Sequence, residues 1–203
     1  LKTINSALLQ SYKNLEILVI NDGSTDKTDE IIKSISDKRI SIINQDNLGP
    51  IDAAYSGINA SKGEYLTFLD ADDELSPDLV KLLCMPLFDS NYGFSYCDYF
   101  EVNREKKTKK KISLSNFFNI LACGVVFKRE LINTIDFWDK NFTLPEYDFI
   151  IRVSKHFDGL HVSEPLYIYN RHSNSMTANK DLVKRARGEI FEKYRYIDGF
   201  KDY

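Results

Sequence analysis

The densest cluster of side chains that can do chemistry is a run of three aspartates, Asp70, Asp72 and Asp73, directly after the apolar segment 65–69. Carboxylates held this close repel one another unless a cation or hydrogen-bond donors offset their charge. Mg²⁺ or Mn²⁺ is a suitable cation, because such ions bind a few carboxylate oxygens together with water and phosphate oxygens. From spacing alone, an acidic loop that caps the following helix is an equally good explanation, since an Asp-x-Asp pair is a weak motif.

Asp22, Glu146 and His172 can also carry chemistry, and each has a structural explanation as well. Asp22 follows the apolar run 15–20 and precedes a glycine, which is ordinary for a turn. Glu146 can accept a proton, although any acid in the first turn of a helix is favoured by the helix dipole. His172 lies in a polar loop, where a neutral imidazole can bind a metal and a protonated one can pair with phosphate.

The order of apolar segments predicts the elements that position these residues. Strand-like runs at 15–20, 39–43 and 65–69 alternate with segments of helical spacing, which favours an α/β fold with a mainly parallel sheet flanked by helices. In such sheets ligands bind outside the carboxyl ends of the strands. Asp22 and the run from Asp70 to Asp73 are therefore expected at one edge of the sheet. Later strands are predicted at 93–102, 124–127 and 160–169, with a helix from Pro145.

The composition is that of one globular domain, with 203 residues that are 43% hydrophobic and 28% charged. A formal net charge of −3 makes nucleic acid a poor partner, and three cysteines without a Cys-x-x-Cys pair do not indicate a zinc site. The sequence contains neither a signal peptide nor an apolar run of about 20 residues, the length that spans a bilayer. We therefore expect a cytoplasmic protein, with the inner face of the membrane as the alternative location.

Several segments together resemble one known family. The stretch 6–10, then LEILVINDGSTDKT and NLGPIDAAYSGINASKGEYLTFLDADD, is similar in order and spacing to the opening half of family 2 glycosyltransferases with the GT-A fold. Further on, LPEYDFIIRVS resembles the family's acid-containing helix start, and YIYNRHSNSMT resembles its histidine segment. The resemblance covers roughly residues 1–177. It implies an inverting, metal-dependent transfer of a sugar from a nucleotide diphosphate donor, with a UDP-sugar expected first, to an acceptor hydroxyl of a saccharide or lipid-linked acceptor.

The resemblance also implies roles for the residues of the amino-terminal half. Asp22 corresponds to the aspartate that receives the uracil ring, and Asp70 to the one near the ribose. Asp72 corresponds to the ligand of Mn²⁺ or Mg²⁺. Asp73, which is counted among the substrate-binding residues, is expected either to support the metal ligand or to hold water on the metal. The metal neutralises the charge that builds on the departing nucleotide diphosphate.

In the second half, the resemblance assigns the catalytic base to Glu146. Family members often have aspartate at that place, so Asp148 is the alternative base and is counted among the substrate-binding residues. Asp148 is in phase with Arg152 four residues later, which favours a helical ion pair instead. His172 is expected as a further metal or diphosphate contact. A bacterial surface polysaccharide or other glycoconjugate is the product that the resemblance implies.

The chain departs from the family's pattern at its start and contains two segments without an assigned role. The family's first strand is absent before Leu1. We expect one domain, with a nucleotide-sugar half at 1–100, an acceptor half at 101–180 and a helical tail at 181–203. The tail is expected to dock on the domain or on another chain through Ile190, Phe191, Tyr194 and Ile197. Six of the eight residues at 104–111 are basic. They are expected to form a solvated loop, with contact to an anionic membrane or acceptor as the alternative.

Two other functions remain open from the sequence. A sugar nucleotidyltransferase also binds a metal with acids, but it usually requires a glycine-rich, basic loop near its start, which is not visible here. A catalytically silent domain that only binds nucleotide sugars is the other alternative. Release of pyrophosphate would indicate the former, and binding without turnover the latter.

Overall fold

The computed structural model describes residues 1–103, 105–112, 122–173 and 175–196. Its first part alternates helices with short strands, and its second part contains two long strands, each of more than ten residues. The elements of the first part are α1 (Lys2–Leu8), β1 (Ile17–Asp22), α2 (Thr28–Lys33), β2 (Ile40–Gln45), α3 (Pro50–Ala60), β3 (Tyr65–Thr67), β4 (Glu74–Leu75) and α4 (Leu79–Cys84). Those of the second part are β5 (Tyr92–Asn103), β6 (Thr108–Ile112), β7 (Val125–Lys128), α5 (Arg129–Thr134), α6 (Pro145–Ser154), β8 (Asp158–Arg171) and α7 (Lys180–Tyr194).

The local sequence explains where the longer helices begin. Proline occupies the first helical position of α3 and of α6, where its fixed φ suits a helix and its missing N–H costs no hydrogen bond. Asn179 caps α7, because its side chain accepts hydrogen bonds from the backbone N–H groups of Asp181 and Leu182. The helix predicted from Pro145 is therefore confirmed, and so is a helix in the tail.

The strands form two sheets. β1 and β2 pair in parallel as a two-stranded sheet, and the others form a six-stranded sheet in the order β3-β7-β5-β8-β4, with β6 paired to β5. Within that larger sheet only β5 and β8 are parallel. The α/β class is confirmed, but the sheet is mixed rather than mainly parallel. For β5 and β6 the physical reason is connection length, because only a few residues separate Asn103 from Thr108 and only antiparallel strands can be joined by so short a segment.

The first element of the given sequence is the helix α1. Among the described residues, no strand pairing joins the β1–β2 sheet to the six-stranded sheet. A side chain connects the two sheets instead. Glu16, directly before β1, accepts hydrogen bonds through Oε1 from the backbone N–H groups of Lys62 and Gly63, just before β3, at 2.6 and 2.9 Å.

Two hydrophobic clusters cover the two faces of the six-stranded sheet. On β7, Val125 and Phe127 belong to one cluster and Val126 to the other, as the alternation of side chains in a strand requires. α5 and α6 close the first cluster, and α4 closes the second. The fully buried side chains in these clusters include Phe94, Leu131, Phe149 and Val153 in the first and Leu79, Leu83, Leu87 and Tyr167 in the second.

The basic segment is ordered differently from the expectation. Residues 108–112 form β6, an antiparallel partner of β5, so the prediction of a loop is wrong for this part; Arg104 lies outside the described residues. Lys109 Nζ lies 4.0 Å from the centre of the Phe100 ring, and Lys111 Nζ lies 3.4 Å from Asp98 Oδ2. These two contacts stabilise the lysine side chains of β6 against β5. Contact of this segment with a membrane remains a prediction.

The tail helix docks as predicted through Ile190 and Tyr194, which are buried, whereas Phe191 is exposed. Ile197 lies outside the described residues. In the described part of the chain, none of the helices combines the length and the apolar character needed to cross a bilayer.

The contact between β8 and β5 leads to a stability prediction. A Cβ on Gly159 would lie 2.3 Å from Cζ of Phe94, which is fully buried and has no room to move. Gly159→Ala should therefore reduce the free energy of unfolding by about 1–3 kcal/mol, measured by urea denaturation. Gly188→Ala is the control, because its Cβ would meet nothing within 4 Å and alanine strengthens a helix by about 0.5–1 kcal/mol. Equal unfolding midpoints for the two variants would contradict this packing.

Candidate active site

Asp73 attaches the acidic run to β8. It is 1% exposed, and its two carboxylate oxygens accept hydrogen bonds from the Tyr167 hydroxyl at 2.6 Å and from the Asn170 backbone N–H at 2.7 Å. Burial raises the pKa of Asp73 to about 6 against the lowering effect of these two hydrogen bonds, and the charges of Asp72 and Asp70 raise it further. The side chain of Asn170 also donates to the Asp72 backbone oxygen at 2.9 Å. The loop after β3 is thus fixed to the carboxyl-terminal end of β8.

This attachment brings Asp72 and His172 together. Asp72 Oδ2 lies 2.8 Å from His172 Nε2, although the residues are 100 positions apart in sequence. Both side chains keep solvent access, with 47% and 41% of their surfaces exposed. The His172 backbone N–H donates to Ser175 Oγ at 3.1 Å, which fixes the turn that presents the ring. A carboxylate and an imidazole therefore face solvent side by side.

Asp70 lies at the same place and has a partner that the sequence did not reveal. Burial raises the pKa of Asp70, a hydrogen bond with the Cys123 thiol lowers it, and the charge of Asp72 raises it again. Burial raises the pKa of Cys123 well above its usual value, with the Asp70 charge as the next cause, so the thiol stays protonated. Cys123 is one of three buried free cysteines, in agreement with the absence of a zinc or disulfide pattern.

The described residues fit a metal ion that is bound partly by protein side chains and partly by the oxygens of a bound ligand or water. In the described ranges, no group of three or more His, Cys, Asp or Glu side chains is close enough to hold a metal ion by protein ligands alone. Asp72 and His172 supply one carboxylate and one imidazole on an open surface. Mg²⁺ and Mn²⁺ commonly bind to few protein groups and complete their shell with water and phosphate oxygens. The donor set fits that kind of site.

Asp22 ends β1 beside a separate cleft. Its carboxylate accepts hydrogen bonds from the Gln45 side chain at 2.7 Å and from the backbone N–H groups of Leu48 and Gly49 at 2.9 and 2.8 Å. The Leu48 hydrogen bond lowers the pKa of Asp22 against a raising effect of burial, and the bonds from Gln45 and Gly49 lower it further. Asp22 is therefore ionised and pins the loop after β2. The cleft is lined by Asp22, Gly23, Ser24, Thr25, Asp26 and Asn47.

Gly23 allows the two loops of this cleft to meet. It has a left-handed φ of 69°, and a Cβ there would lie 2.6 Å from the Asn47 backbone nitrogen. Only glycine tolerates both conditions. The strand end with Asp22 and the loop with Asn47 can thus form the two walls of one narrow cleft.

Glu146 lies in the first turn of α6 and is in electrostatic contact with the acidic run. Burial raises its pKa to about 7, a hydrogen bond with its own backbone opposes this, and the charge of Asp70 raises the pKa further. The residue still keeps part of its surface open to solvent. A partly accessible carboxyl with a pKa near neutrality can give or take a proton at physiological pH.

Asp148 has a different environment from Glu146. It is 0% exposed, and it accepts hydrogen bonds from Arg152 Nε at 2.7 Å, Lys193 Nζ at 2.6 Å and the Tyr194 hydroxyl at 2.5 Å. Burial acts to raise its pKa, but the hydrogen bonds from Lys193, Tyr194 and Arg152 outweigh it and lower the pKa. The predicted ion pair with Arg152 is confirmed. Asp148 has no surface left for a ligand, so we correct its assignment from substrate binding to the attachment of α7 to α6.

The structure thus brings His172 to Asp72 and places Glu146 within electrostatic range of Asp70, whereas Asp22 lines a separate cleft. Sequence reasoning missed the partners that hold them, since no local signal marks a residue as the donor to a distant carboxylate. The missed partners of Asp70 and Asp73 are Cys123, Tyr167 and Asn170, and those of Asp148 are Lys193 and Tyr194.

Comparison with known proteins identifies the chain's relatives. Residues 1–154 match the family model described as Glycosyl transferase family 2. The chain is 36% identical over 118 residues to an uncharacterized glycosyltransferase of Rickettsia bellii, covering 58% of this chain and 17% of that protein. It is 38% identical over 107 residues to glycosyltransferase GlyA of Streptococcus pneumoniae, covering 52% and 15%. Against glycosyltransferase GlyG of the same species it is 26% identical over 224 residues, covering 94% and 73%. The chain therefore spans only a small part of the first two relatives.

Two solved structures share the fold. S. aureus TarS in complex with UDP-GlcNAc superposes with a TM-score of 0.72 at 15% identity, covering 93% of this chain and 62% of that one. The mannosyltransferase PcManGT of Pyrobaculum calidifontis, in complex with GDP-Man and Mn²⁺, gives a TM-score of 0.72 at 15% identity, covering 94% and 59%. At this identity the likeness shows the GT-A-type α/β fold alone, as the sequence predicted.

The opposite environments of Glu146 and Asp148 lead to a second stability prediction. Asp148→Asn should cost about 3 kcal/mol of unfolding free energy, because it leaves partly buried cations without their charge partner.

The pKa of Glu146 is raised from 4.5 to about 7 in the folded chain, so its contribution to stability falls as the pH rises through that interval. Glu146→Gln should therefore gain stability relative to the wild type as the pH increases, measured by denaturation at several pH values. A large loss for Glu146→Gln at neutral pH would show that this carboxylate is a structural partner.

Proposed function

This chain belongs to glycosyl transferase family 2, and we propose that it is an inverting, metal-dependent glycosyltransferase that moves a sugar from a UDP-sugar to the hydroxyl of a saccharide or lipid-linked acceptor. The observation that carries the proposal is the position of Glu146, whose pKa of about 7 is partly set by the charge of Asp70. A proton acceptor thus lies within electrostatic range of Asp70, and Asp72, two residues farther along the chain, contacts His172.

The donor is proposed to lie along the carboxyl ends of β1 and β3. Asp22 has two carboxylate oxygens and three internal donors, which leaves acceptor capacity for the N–H of a uracil ring. Asp70, which follows β3, would accept from the ribose hydroxyls. The complexes of TarS with UDP-GlcNAc and of PcManGT with GDP-Man support a nucleotide-sugar donor for this fold.

Asp72 and His172 are proposed to hold Mn²⁺ or Mg²⁺ together with the donor diphosphate, and the PcManGT complex with Mn²⁺ supports this. The ion supplies charge neutralisation for the leaving diphosphate. Asp73 does not reach the donor in this scheme. It acts through its hydrogen bonds, which fix the backbone of Asp72 against Asn170.

Glu146 is proposed to act as the base. The acceptor hydroxyl gives its proton to the Glu146 carboxylate as its oxygen bonds to the anomeric carbon, and the bond from that carbon to the diphosphate oxygen breaks with its electron pair. Attack from the face opposite the leaving group inverts the anomeric centre without a covalent enzyme intermediate. In-line positioning and leaving-group stabilisation supply most of the rate.

The family membership argues against the nucleotidyltransferase alternative, which would release pyrophosphate, and the silent domain remains an outcome of the assays below. A bacterial surface polysaccharide or glycoconjugate is the proposed product class. The names of the bacterial relatives GlyA and GlyG support glycosyl transfer, and the product class itself rests on the family resemblance.

Replacement of the base should separate rate from binding. In Glu146→Gln the amide keeps the size of the side chain and loses the proton acceptor, so donor turnover should fall by on the order of 10²–10⁴ while UDP affinity stays nearly unchanged. Calorimetry with UDP and release of UDP from candidate nucleotide sugars measure the two quantities. Asp148→Asn is the control, and a larger loss of turnover in a folded Asp148→Asn protein would transfer the base role to Asp148.

The pH dependence follows from the ionisation of Glu146. A base must be deprotonated, and because burial raises its pKa to about 7, the carboxylate fraction grows as the pH rises through that value. The turnover rate should fall about tenfold per pH unit below it, and Glu146→Gln should lack this dependence. A wild-type rate that is flat from about pH 5 to about pH 8 would exclude Glu146 as the titrating base.

The effect of the metal on UDP affinity should depend on Asp72. Asp72→Asn removes a charged ligand and should reduce the Mn²⁺-dependent gain in UDP affinity by about tenfold or more, since changes behind the ligands already have effects of that size. Titration of UDP with and without Mn²⁺ measures the gain. Asp46→Asn, at an exposed aspartate in the loop after β2, is the matched control. An unchanged gain in Asp72→Asn would remove Asp72 from the metal site.

A further inference from the structure

A groove outside the acidic site runs along one face of α7. It is lined by Thr177 and by the helix residues Lys180, Val183, Lys184, Arg187, Gly188 and Phe191. None of these residues belongs to the Asp22 cleft, to the acidic run or to the contacts that attach α7 to α6. The groove is therefore a separate feature of the surface.

Three cations share this face without neutralisation. Lys180, Lys184 and Arg187 are spaced four and three residues apart, which places them in one stripe of the helix. In the described ranges none of the three pairs with a carboxylate, whereas Arg185 pairs with Glu189 and Lys193 with Asp148. Like charges at this spacing weaken a helix, and Lys180 in the first turn also opposes the helix dipole. Helix stability does not explain the stripe.

The remaining lining residues also point to an external ligand. Gly188 lies within α7, where glycine weakens a helix relative to alanine, and a Cβ there would meet nothing within 4 Å. Packing inside the chain therefore does not require this glycine, but a ligand that lies close to the helix backbone would. Phe191 is 37% exposed and Val183 is half-buried, so the groove offers apolar surface beside the cations.

Several contacts place α7 beside the start of α6, the helix that carries Glu146. Glu189 accepts hydrogen bonds from the backbone N–H and the hydroxyl of Thr143 at 2.7 and 2.8 Å, which holds α7 beside the start of α6. Thr177, at the end of the groove, is hydrogen-bonded to the Tyr169 hydroxyl. Among the causes that act on the pKa of Tyr147, burial and the Glu146 charge raise it and the Arg187 charge lowers it. Arg187 and Glu146 thus both lie within electrostatic range of Tyr147, in the first turn of α6.

We propose that this groove binds the phosphate-bearing end of a lipid-linked acceptor, with Lys180, Lys184 and Arg187 on the phosphate and with Val183 and Phe191 along the apolar chain. The inference rests on the proposed function, because an acceptor must approach Glu146. Charge complementarity selects the phosphate, since arginine and lysine are the usual phosphate-binding side chains. The apolar residues beside the cations select an amphiphilic phosphate over a free one.

The test uses decyl phosphate as the probe, below its micelle-forming concentration, and measures its binding to the full chain by calorimetry. Decyl β-glucoside is the neutral comparator, and inorganic phosphate is the comparator without an apolar chain. One variant, Lys184→Glu combined with Arg187→Glu, reverses charge, and a second, Gly188→Leu, fills the groove without changing charge. Lys81→Glu, at an exposed lysine on α4, is the matched control.

Decyl phosphate should bind the wild type at least about tenfold more tightly than either comparator does, and both groove variants should lose about tenfold or more in affinity for it while Lys81→Glu does not. Equal affinity in wild type and variants would overturn the proposal. Equally tight binding of inorganic phosphate would overturn the lipid occupant, and displacement of decyl phosphate by UDP would assign the groove to the donor.

Donor hydrolysis by the wild type is measured separately and tests the proposed function. Hydrolysis without groove-dependent binding of decyl phosphate would overturn the groove alone. Groove-dependent binding without turnover of any nucleotide sugar would overturn the enzyme proposal and still support a phosphate site.

Discussion

The buried carboxylate of Asp73 is the contact on which the geometry of the candidate site depends. A carboxylate at 1% exposure is very costly without partners, and Asp73 has the Tyr167 hydroxyl and the Asn170 N–H. These bonds fix the loop after β3 to β8. Asp72 is the neighbour of Asp73 in sequence, and His172 follows Asn170 by two positions, so this one attachment sets the 2.8 Å contact between them.

Asp148 has the corresponding role for the second half of the site. Its hydrogen bonds to Arg152, Lys193 and Tyr194 hold α7 against α6, and α6 carries Glu146 in its first turn. These two acids are two residues apart and differ in environment. Asp148 is fully paired and has a lowered pKa, whereas Glu146 is partly buried, pairs with no cation among the described residues and has a raised pKa. The paired acid builds the site, and the unpaired acid is left able to take a proton.

The sequence predicts the elements that depend on neighbouring residues, and it predicts less where distant segments meet. The apolar run before Asp22 is sufficient to predict strand β1, and the proline that begins α6 is sufficient to predict that helix. The lysine-rich residues of β6 looked like a loop because lysine is depleted in strands, and only pairing with β5 makes them a strand. The proximity of Asp72 and His172 was expected only through the family resemblance. Nothing local indicated Cys123 as the partner of Asp70.

A single displacement with Glu146 as the base inverts the anomeric centre, and the sugar released by hydrolysis records that outcome without any knowledge of the acceptor. Proton NMR can follow the anomer that appears first when the protein hydrolyses a UDP-α-sugar in the presence of Mn²⁺. We predict the β-anomer first, with the α-anomer formed only later by mutarotation in water. Initial release of the α-anomer would contradict a single displacement and would require a different role for Glu146.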